Sequence, residues 1–470
     1  MFILTLMAST ALSNCQADLG NYEVTYLSER QFKIEAQYSE PYTEFHLGHS
    51  PTNDRPEAQS ESVHNIIAYD VSGGKIDIAY AGNGSWAAPK GAIRISYELS
   101  ADHDEVLWPH GADEVAHPFG GGYYFTGTAF FIGPDWNANS CPVNISFNTP
   151  EGWALTAPWA DGPLTGTAKS IEDLQDNGFA IGPFTDSTQR VGNLTLNSLF
   201  DPTIEPVVRP YVDKVMDDLL PAFAEYFGGA PSADYTTFHF AYGSSDGSAF
   251  ARSFTMQYEW PLNTAERLIW AHGLAHETMH LWTGVVERAD LENEWFLEGF
   301  TDYLAIKHLY REGYYDDYQL RNLLASIVTR HQLGYRLSQG TSLREAGSNK
   351  GQNWFLIYGS GALIALMLDA EMSAIEPHAF DDMMATLYQN GKQEYDFERL
   401  MSFMDQHSNG RAQEIFDAVD GGLSPNEINA VLNPRGISVA GRMDLSYLSF
   451  TGKCRKKNNC APEFLKKSKK

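Results

Sequence analysis

Cysteine is scarce: four in 470 residues, too few for a disulfide framework to hold a chain of this size. Cys454 and Cys460 are close enough in sequence to pair and tie off the C-terminus, and a free pair is equally compatible. No run reaches the roughly 20 apolar residues that span a bilayer. There is no internal repeat, and no low-complexity block beyond a Lys-rich end, which excludes solenoid and fibrous architectures. Positive charge is short as well. Lys and Arg number 33 against 60 Asp and Glu, giving a formal net charge of −27 and a pI near 4.8. A surface of that sign repels phosphates, so nucleic acid is excluded as an expected partner. The basic charge that exists gathers at the end, where residues 453–470 hold eight Lys or Arg against Glu463 alone. That tail is a candidate for peripheral contact with an anionic membrane surface, or is simply solvated.

At 43% hydrophobic and 20% charged the composition is globular, and the length asks for several domains. The N-terminus opens with Phe2–Leu12 (FILTLMASTAL), a short apolar run followed by small and polar residues. That is the shape of a secretory leader, although the usual positive start is missing. Cleavage near Ala17 fits the small residues there, and Cys15 offers a weaker lipoprotein reading with a lipid anchor. A buried first strand is the alternative. Residues 1–17 are therefore expected to be a secretion signal or lipoprotein leader. The mature protein is expected to be exported: periplasmic, secreted or associated with the cell envelope.

From about Asn21 to Thr195 the segments are short, β-branched or aromatic, and bounded by Gly, Pro, Asn and Asp; Lys75–Ala81 (KIDIAYA) and Val143–Asn148 (VNISFN) are examples. This reads as a β-sandwich over 18–195. Val207–Phe227 has helical periodicity and stops at Gly228-Gly229, Thr236–Tyr242 reads as a strand, and helices dominate from Asn263 to about Leu432. The expected fold is multidomain α+β. A β-sandwich is followed by an α/β domain over 196–330, a helical domain over 331–440 and a basic tail over 441–470.

The chemistry starts at Asn263. Asn263-Thr264-Ala265-Glu266 is a capping pattern and Gly284 closes the segment, which predicts a helix of about 20 residues. Within it lies His276-Glu277-Thr278-Met279-His280. Histidines four apart stand one turn above each other on one face, as two ligands of one ion must. Glu277 is one residue round from His276, placed to reach a water on that ion without ligating it. The competing reading is a surface helix that happens to carry these residues. Its flanks (Leu268, Ile269, Trp270, Leu274, Leu281, Trp282) predict burial instead, and buried imidazoles and a buried carboxylate need partners. A catalytic zinc takes three protein ligands and keeps one position open for water. Glu298, 18 residues after His280 in an aromatic-rich helical stretch, is the candidate third ligand; a solvated acid at a helix start is its plainer reading. Asp302, one turn on, is placed to accept the spare N–H of His276 or His280.

HETMHLW (276–282) followed by WFLEGFTDYL (295–304) resembles the gluzincin zinc metallopeptidases. Among these it is most similar to the glycyl aminopeptidase family, metallopeptidase family sixty-one. Tyr226–Pro231 (YFGGAP), Tyr358–Asp369 (YGSGALIALMLD) and Cys141–Trp153 (CPVNISFNTPEGW) extend the likeness over roughly residues 60–440. The resemblance implies a β domain, a thermolysin-like zinc peptidase domain and a helical domain. It implies one Zn2+ held by His276, His280 and Glu298, with Glu277 as general base. Tyr358 then matches the family's tyrosine, whose phenol stabilises the oxyanion of an attacked carbonyl. Among 24 tyrosines nothing but the resemblance selects it; a core aromatic is the alternative.

The match has gaps. The family's strand before the zinc helix ends in a glutamate that binds the free amine of a substrate. The corresponding Asp246–Met256 carries no acid after Gly247 and has Arg252 instead, a candidate for an acidic substrate group or a surface ion pair. Ser360 stands where a lysine is common. Only some 30 residues follow Gly441, so the family's C-terminal PDZ domain is expected to be missing. Elsewhere, the acidic, histidine-bearing segment from His103 to His117 reads as a loop or a second cation site. Gly120–Gly122 reads as a turn, and His239, His272 and His308 carry no arguable chemistry. The expectation is a zinc peptidase acting on a peptide substrate, aminopeptidase-like. The rivals are an endopeptidase or oligopeptidase, and a non-catalytic cell-envelope binding protein with a structural zinc.

Overall fold

The computed structural model describes residues 18–47, 60–101, 116–134, 141–184, 186–231, 234–242, 246–284, 291–391, 395–442, 445–451 and 460–467. The expected leader, the segment from His103 to Glu114 and Cys454 lie outside the described residues. Cys141 and Cys460 are both disulfide-bonded. The described residues fall into two compact units, 18–184 and 186–467.

The first unit is built from β1 (Gly20–Ser28), β2 (Gln31–His46), β3 (Val63–Tyr69), β4 (Lys75–Ile76), β5 (Ala79–Gly82) and β6 (Ser85–Ser100). It continues with β7 (His117–Phe119), β8 (Gly122–Thr126), β9 (Val143–Asn148), β10 (Ala154–Thr156), β11 (Ala160–Gly162), β12 (Thr165–Ala168), a short helix α1 (Ile171–Gln175) and β13 (Gly178–Gly182). A nine-stranded sheet runs in the order β11-β12-β9-β1-β2-β6-β3-β4, with β5 on β6; a second sheet runs β10-β13-β8-β7. In β2 the alternate residues Phe32, Ile34, Ala36 and Tyr38 are buried, as the two-residue repeat of a half-covered strand requires. The sheets pack through aromatics: Phe32 of one meets Tyr123 and Phe125 of the other, each with ring centroids 5.2 Å apart. Residues of both sheets share one core. Gly120 and Gly121 form the turn between β7 and β8.

The second unit opens with the hairpin β14 (Asp186–Val191) and β15 (Leu194–Phe200). A crossover helix α2 (Glu205–Phe227) ends at Gly228, whose φ of 75° needs the left-handed region. It returns the chain to β16 (Asp234–Tyr242), parallel to β15. Then come β17 (Asp246–Ala249) and β18 (Ser253–Glu259), giving the order β14-β15-β16-β18-β17 with β17 at one edge. The helices are α3 (Arg267–Thr283), α4 (Glu294–Arg311), α5 (Asp317–Leu337), α6 (Leu343–Ala346), α7 (Trp354–Met372), α8 (Ala379–Gln389), α9 (Phe397–Ser408), α10 (Arg411–Asp420) and α11 (Pro425–Leu432). A hairpin of β19 (Ile437–Arg442) and β20 (Leu445–Phe450) follows.

Three expected boundaries move. The one near 195 falls inside β15: the β14–β15 hairpin has the texture of sandwich strands, but β15 pairs with β16 and belongs to the second unit. The one near 330 falls inside α5, and a single continuous core runs from Leu194 to Leu465. The expected tail from 441 begins as a strand: Ser446 N donates to Thr329 Oγ1 of α5 at 3.1 Å, and Phe464 and Leu465 are buried.

Helix α7 is the apolar centre of this unit. At 19 residues and a mean hydropathy of 1.5 over its most apolar window it is long and apolar enough to cross a membrane, yet 83% of that window is buried among its neighbours. Glycines set its approach to them. A Cβ on Gly361 would stand 1.9 Å from the Trp295 carbonyl oxygen of α4, and one on Gly299 would stand 2.4 Å from Gly361 Cα. On the opposite side a Cβ on Gly359 would stand 2.5 Å from His331 N of α5. Only a residue without a side chain lets three backbones meet this closely.

Candidate metal centre

Helix α3 carries the first part of the site. Asn263 acts as a cap, its side chain accepting from Ala265 N at 3.1 Å, but it caps a 3-10 turn (Thr264–Glu266) that leads into the α-helix at Arg267. Of the flanks expected to be buried, Ile269 is 60% exposed, on the side of the helix turned from the core; Trp270, Leu274 and Trp282 are buried, and this holds His276 and Glu277 inside, 6% and 8% exposed. Helix α4 brings Glu298, 3% exposed, against them.

The three donors converge. Glu298 Oε2 lies 3.1 Å from His276 Nε2 and 3.5 Å from His280 Nε2, and the two Nε2 atoms are 3.2 Å apart. All three lie within 4.8 Å of one another, the one such cluster of three among the described residues. Two imidazole nitrogens and one carboxylate oxygen, aimed at a common point and shielded from water, are the donor set of a zinc ion with an open position. The electrostatics agree. Burial works against charge on the His276 imidazole, but Glu298, Glu277 and Asp302 outweigh it and raise its pKa. Burial likewise opposes the Glu298 carboxylate. Lys350 and the two histidines nevertheless hold it well below the usual carboxylate range, so it is ionised. The pocket is preset for positive charge.

Tyr358, on the first turns of α7, reaches the same place. Its ring lies 5.8 Å from that of His276 at 24°, and the Glu298 carboxylate is close enough to act on its hydroxyl. Burial, then the nearby Glu298 and Glu277 charges, push its pKa well above the ordinary phenol value, so it stays a donor. Ser360, two residues on, is buried and bonds His331 Nδ1 at 2.9 Å, a packing role inside the helix bundle. The edge strand β17 runs beside α3, and a Cβ on Gly247 would stand 3.1 Å from Glu277 Oε1. The glycine keeps that carboxylate clear of its neighbour. Arg252 lies further along, in the turn from β17 into β18, its carbonyl accepting from Thr236 N at 3.1 Å.

Asp302 has other partners than the expected ones. Its Oδ1 accepts from His272 Nε2 at 2.8 Å and its Oδ2 from Arg330, not from His276 or His280. The reason is geometric. His272 continues the stripe of His276 and His280 one turn earlier, and its ring stacks 6.5 Å from that of His276. It therefore intercepts the carboxylate that the one-turn spacing had assigned to a ligand. Burial opposes the Asp302 charge, but Arg330 and His272 hold its pKa well below the usual range.

No protein-family model matches the sequence, and no curated protein sequence matches it either. Solved structures do. An aminopeptidase N family protein from Idiomarina loihiensis superposes with a TM-score of 0.73 at 16% identity, covering 90% of this chain and 79% of the other. An M1 zinc metallopeptidase from Deinococcus radiodurans superposes with a TM-score of 0.55 at 15% identity, covering 87% and 96%. A mutant of that enzyme, solved with a Tyr-Ser-Ala substrate, gives 0.54. The fold is that of the M1 zinc metallopeptidases. At this identity the likeness carries the metallopeptidase fold, and the chemistry rests on the residues placed within it.

Three residues around the site escaped the sequence. His272 was visible as part of an i, i+4 stripe but had no assigned partner. Arg330 on α5 and Lys350 before α7 come from stretches with no pattern of their own. Chain folding alone brings them to α4. His239 and His308 are buried in the core, the first between Thr237 and Tyr258, the second against Phe223 and Tyr226.

Proposed function

We propose that the protein is a zinc-dependent peptidase. The observation that carries this is the convergence of His276, His280 and Glu298 on one buried point, with Glu277 and the Tyr358 hydroxyl beside it. A zinc ion bound there would polarise a scissile carbonyl and acidify a water. Glu277 would serve as the base, taking a proton from the attacking water on its carboxylate and passing it to the leaving amine. Tyr358 donates its O–H to the oxygen on which negative charge develops. One ion satisfies the three donors.

The substrate is a peptide, as the Tyr-Ser-Ala complex of a structural neighbour supports. Within the gluzincins, the Tyr226–Pro231 and Tyr358–Asp369 segments support the glycyl aminopeptidase family, and with it a thermolysin-like catalytic region. The first reading is aminopeptidase action on small peptides. A second, internal cleavage, is favoured by one feature: the Ser248–Arg252 stretch that follows Gly247 offers no carboxylate for a substrate ammonium. Arg252 there suits an acidic group of the substrate. The apolar Phe2–Leu12 run supports export.

The test is a mixed peptide library, free and N-acetylated, incubated with zinc-loaded protein and read by mass spectrometry. Loss of single N-terminal residues from free peptides alone is the result expected of an aminopeptidase. Internal cuts in both pools establish the second reading. No cleavage in either pool leaves a binding protein with a structural zinc.

A further inference from the structure

We propose that Lys350 is a positioning residue for the metal-binding carboxylate, holding Glu298 Oε1 so that Oε2 alone is offered to the ion. This rests on the zinc reading above. The two oxygens of Glu298 already have different surroundings: Oε2 faces both histidine Nε2 atoms, at 3.1 and 3.5 Å, while Oε1 accepts from Lys350 Nζ. The same ammonium lies 3.1 Å from Glu294 Oε2 and 5.8 Å from the centre of the Tyr358 ring.

Charge explains why a lysine is needed there. Glu294 and Glu298 are one turn apart on α4, with side chains 0% and 4% exposed. Two carboxylates on one buried helix face repel each other, and neither can be relieved by water. Lys350 is the cation between them. With Glu277 the site gathers three carboxyl side chains around one ammonium, surroundings that suit a divalent cation. Asp302 lies outside this balance, since Arg330 answers it.

The chain also fixes the lysine. Gly347 packs so tightly that a Cβ would stand 2.0 Å from the Leu291 carbonyl oxygen, pressing the turn Gly347–Asn349 against the approach to α4. Asn353 N donates to the Lys350 carbonyl at 3.1 Å, and its side chain donates to the Asn349 carbonyl at 3.0 Å. The side chain of Lys350 is 12% exposed. A rigid, enclosed donor of this kind orients its acceptor instead of drifting with solvent.

The sign of one measurement decides the matter. Lys350→Met removes a positive charge next to a cation site. If Lys350 were only a bystander or occupied the ion's own place, the variant would bind zinc as well as the parent or more tightly. The proposal expects the opposite. The zinc dissociation constant, measured by competition with a chromophoric chelator, rises about 10–100-fold, the usual cost of losing a group that orients a metal ligand. The visible spectrum of the cobalt-substituted protein changes with it. Lys350→Gln retains a donor for Oε1 and recovers part of the affinity; it also carries the test if the Met variant does not fold. Equal or tighter zinc binding by both variants, with an unchanged cobalt spectrum, overturns the inference while leaving the zinc reading intact. A parent protein that binds no zinc overturns both.

Discussion

Tyr358 shows how one side chain draws its role from its surroundings. Burial, then the Glu298 and Glu277 charges, push its pKa well above the ordinary phenol value, which keeps the O–H available as a donor near neutral pH. Such a donor acts mainly on the charge that develops during reaction. Tyr358→Phe is therefore expected to lower kcat by about 10²–10³-fold with KM nearly unchanged, the range seen when one oxyanion donor is removed. Steady-state kinetics on a cleaved peptide check this, and a raised KM at constant kcat would contradict it. At this scale helical spacing put His276 and His280 on one face, and the need for a third donor pointed to Glu298 on the next helix; the structure brings these three side chains together. The partner of Asp302 was not legible. Spacing found the correct side of α4, but it could not choose between three histidines on one stripe of α3, and it could not see Arg330 arriving from α5. Lys350 was invisible for the same reason.

Helix crossings set the distance between these residues. Tyr358 and Glu298 stand on different helices, and the crossing that joins them is made at Gly361 and Gly299. In the sequence the two glycines after Tyr358 were only part of a resemblance; the structure supplies their cause, since Gly359 admits α5 and Gly361 admits α4. Gly361→Ala gains helix propensity of about 1 kcal/mol. It also forces a methyl group against backbone that has no side chain to turn aside. The net expectation is a loss of about 1–3 kcal/mol from overpacking, read as a lower denaturation midpoint, together with reduced turnover as Tyr358 moves from Glu298. An unchanged midpoint and rate would show that the crossing has slack. Element types were largely legible, from the strand Val143–Asn148 to the Gly228 stop of α2, although the expected strand Lys75–Ala81 is split into β4 and β5. Element membership was not: the β14–β15 hairpin looks like its predecessors, and only its parallel partner β16 gives it to the other unit.

At the scale of the whole molecule, a metal bound in this site would couple to folding. Glu277, Glu294 and Glu298 are enclosed in the second unit with Lys350 beside two of them, and an ion that binds there only in the folded state would stabilise it by mass action. At free zinc about 1,000 times its dissociation constant the gain is about 4 kcal/mol. Thermal unfolding followed with and without chelator is expected to show the unfolding of the second unit shifted down on zinc removal and restored on its return. Coincident curves would separate the site from stability. The sequence could foresee a chain of several parts with a β-rich start and a helical end. It could not foresee that the two later parts share one core, because α5 passes through the expected division without a break.

The most direct test of the central claim joins metal content to turnover in one variant. Glu277→Gln removes the proposed base and leaves all three donors in place. The prediction is one zinc per chain in both proteins, peptide cleavage by the parent, and a fall of at least about 10²-fold in the variant. A variant that keeps its zinc and cleaves as fast as the parent would contradict the account.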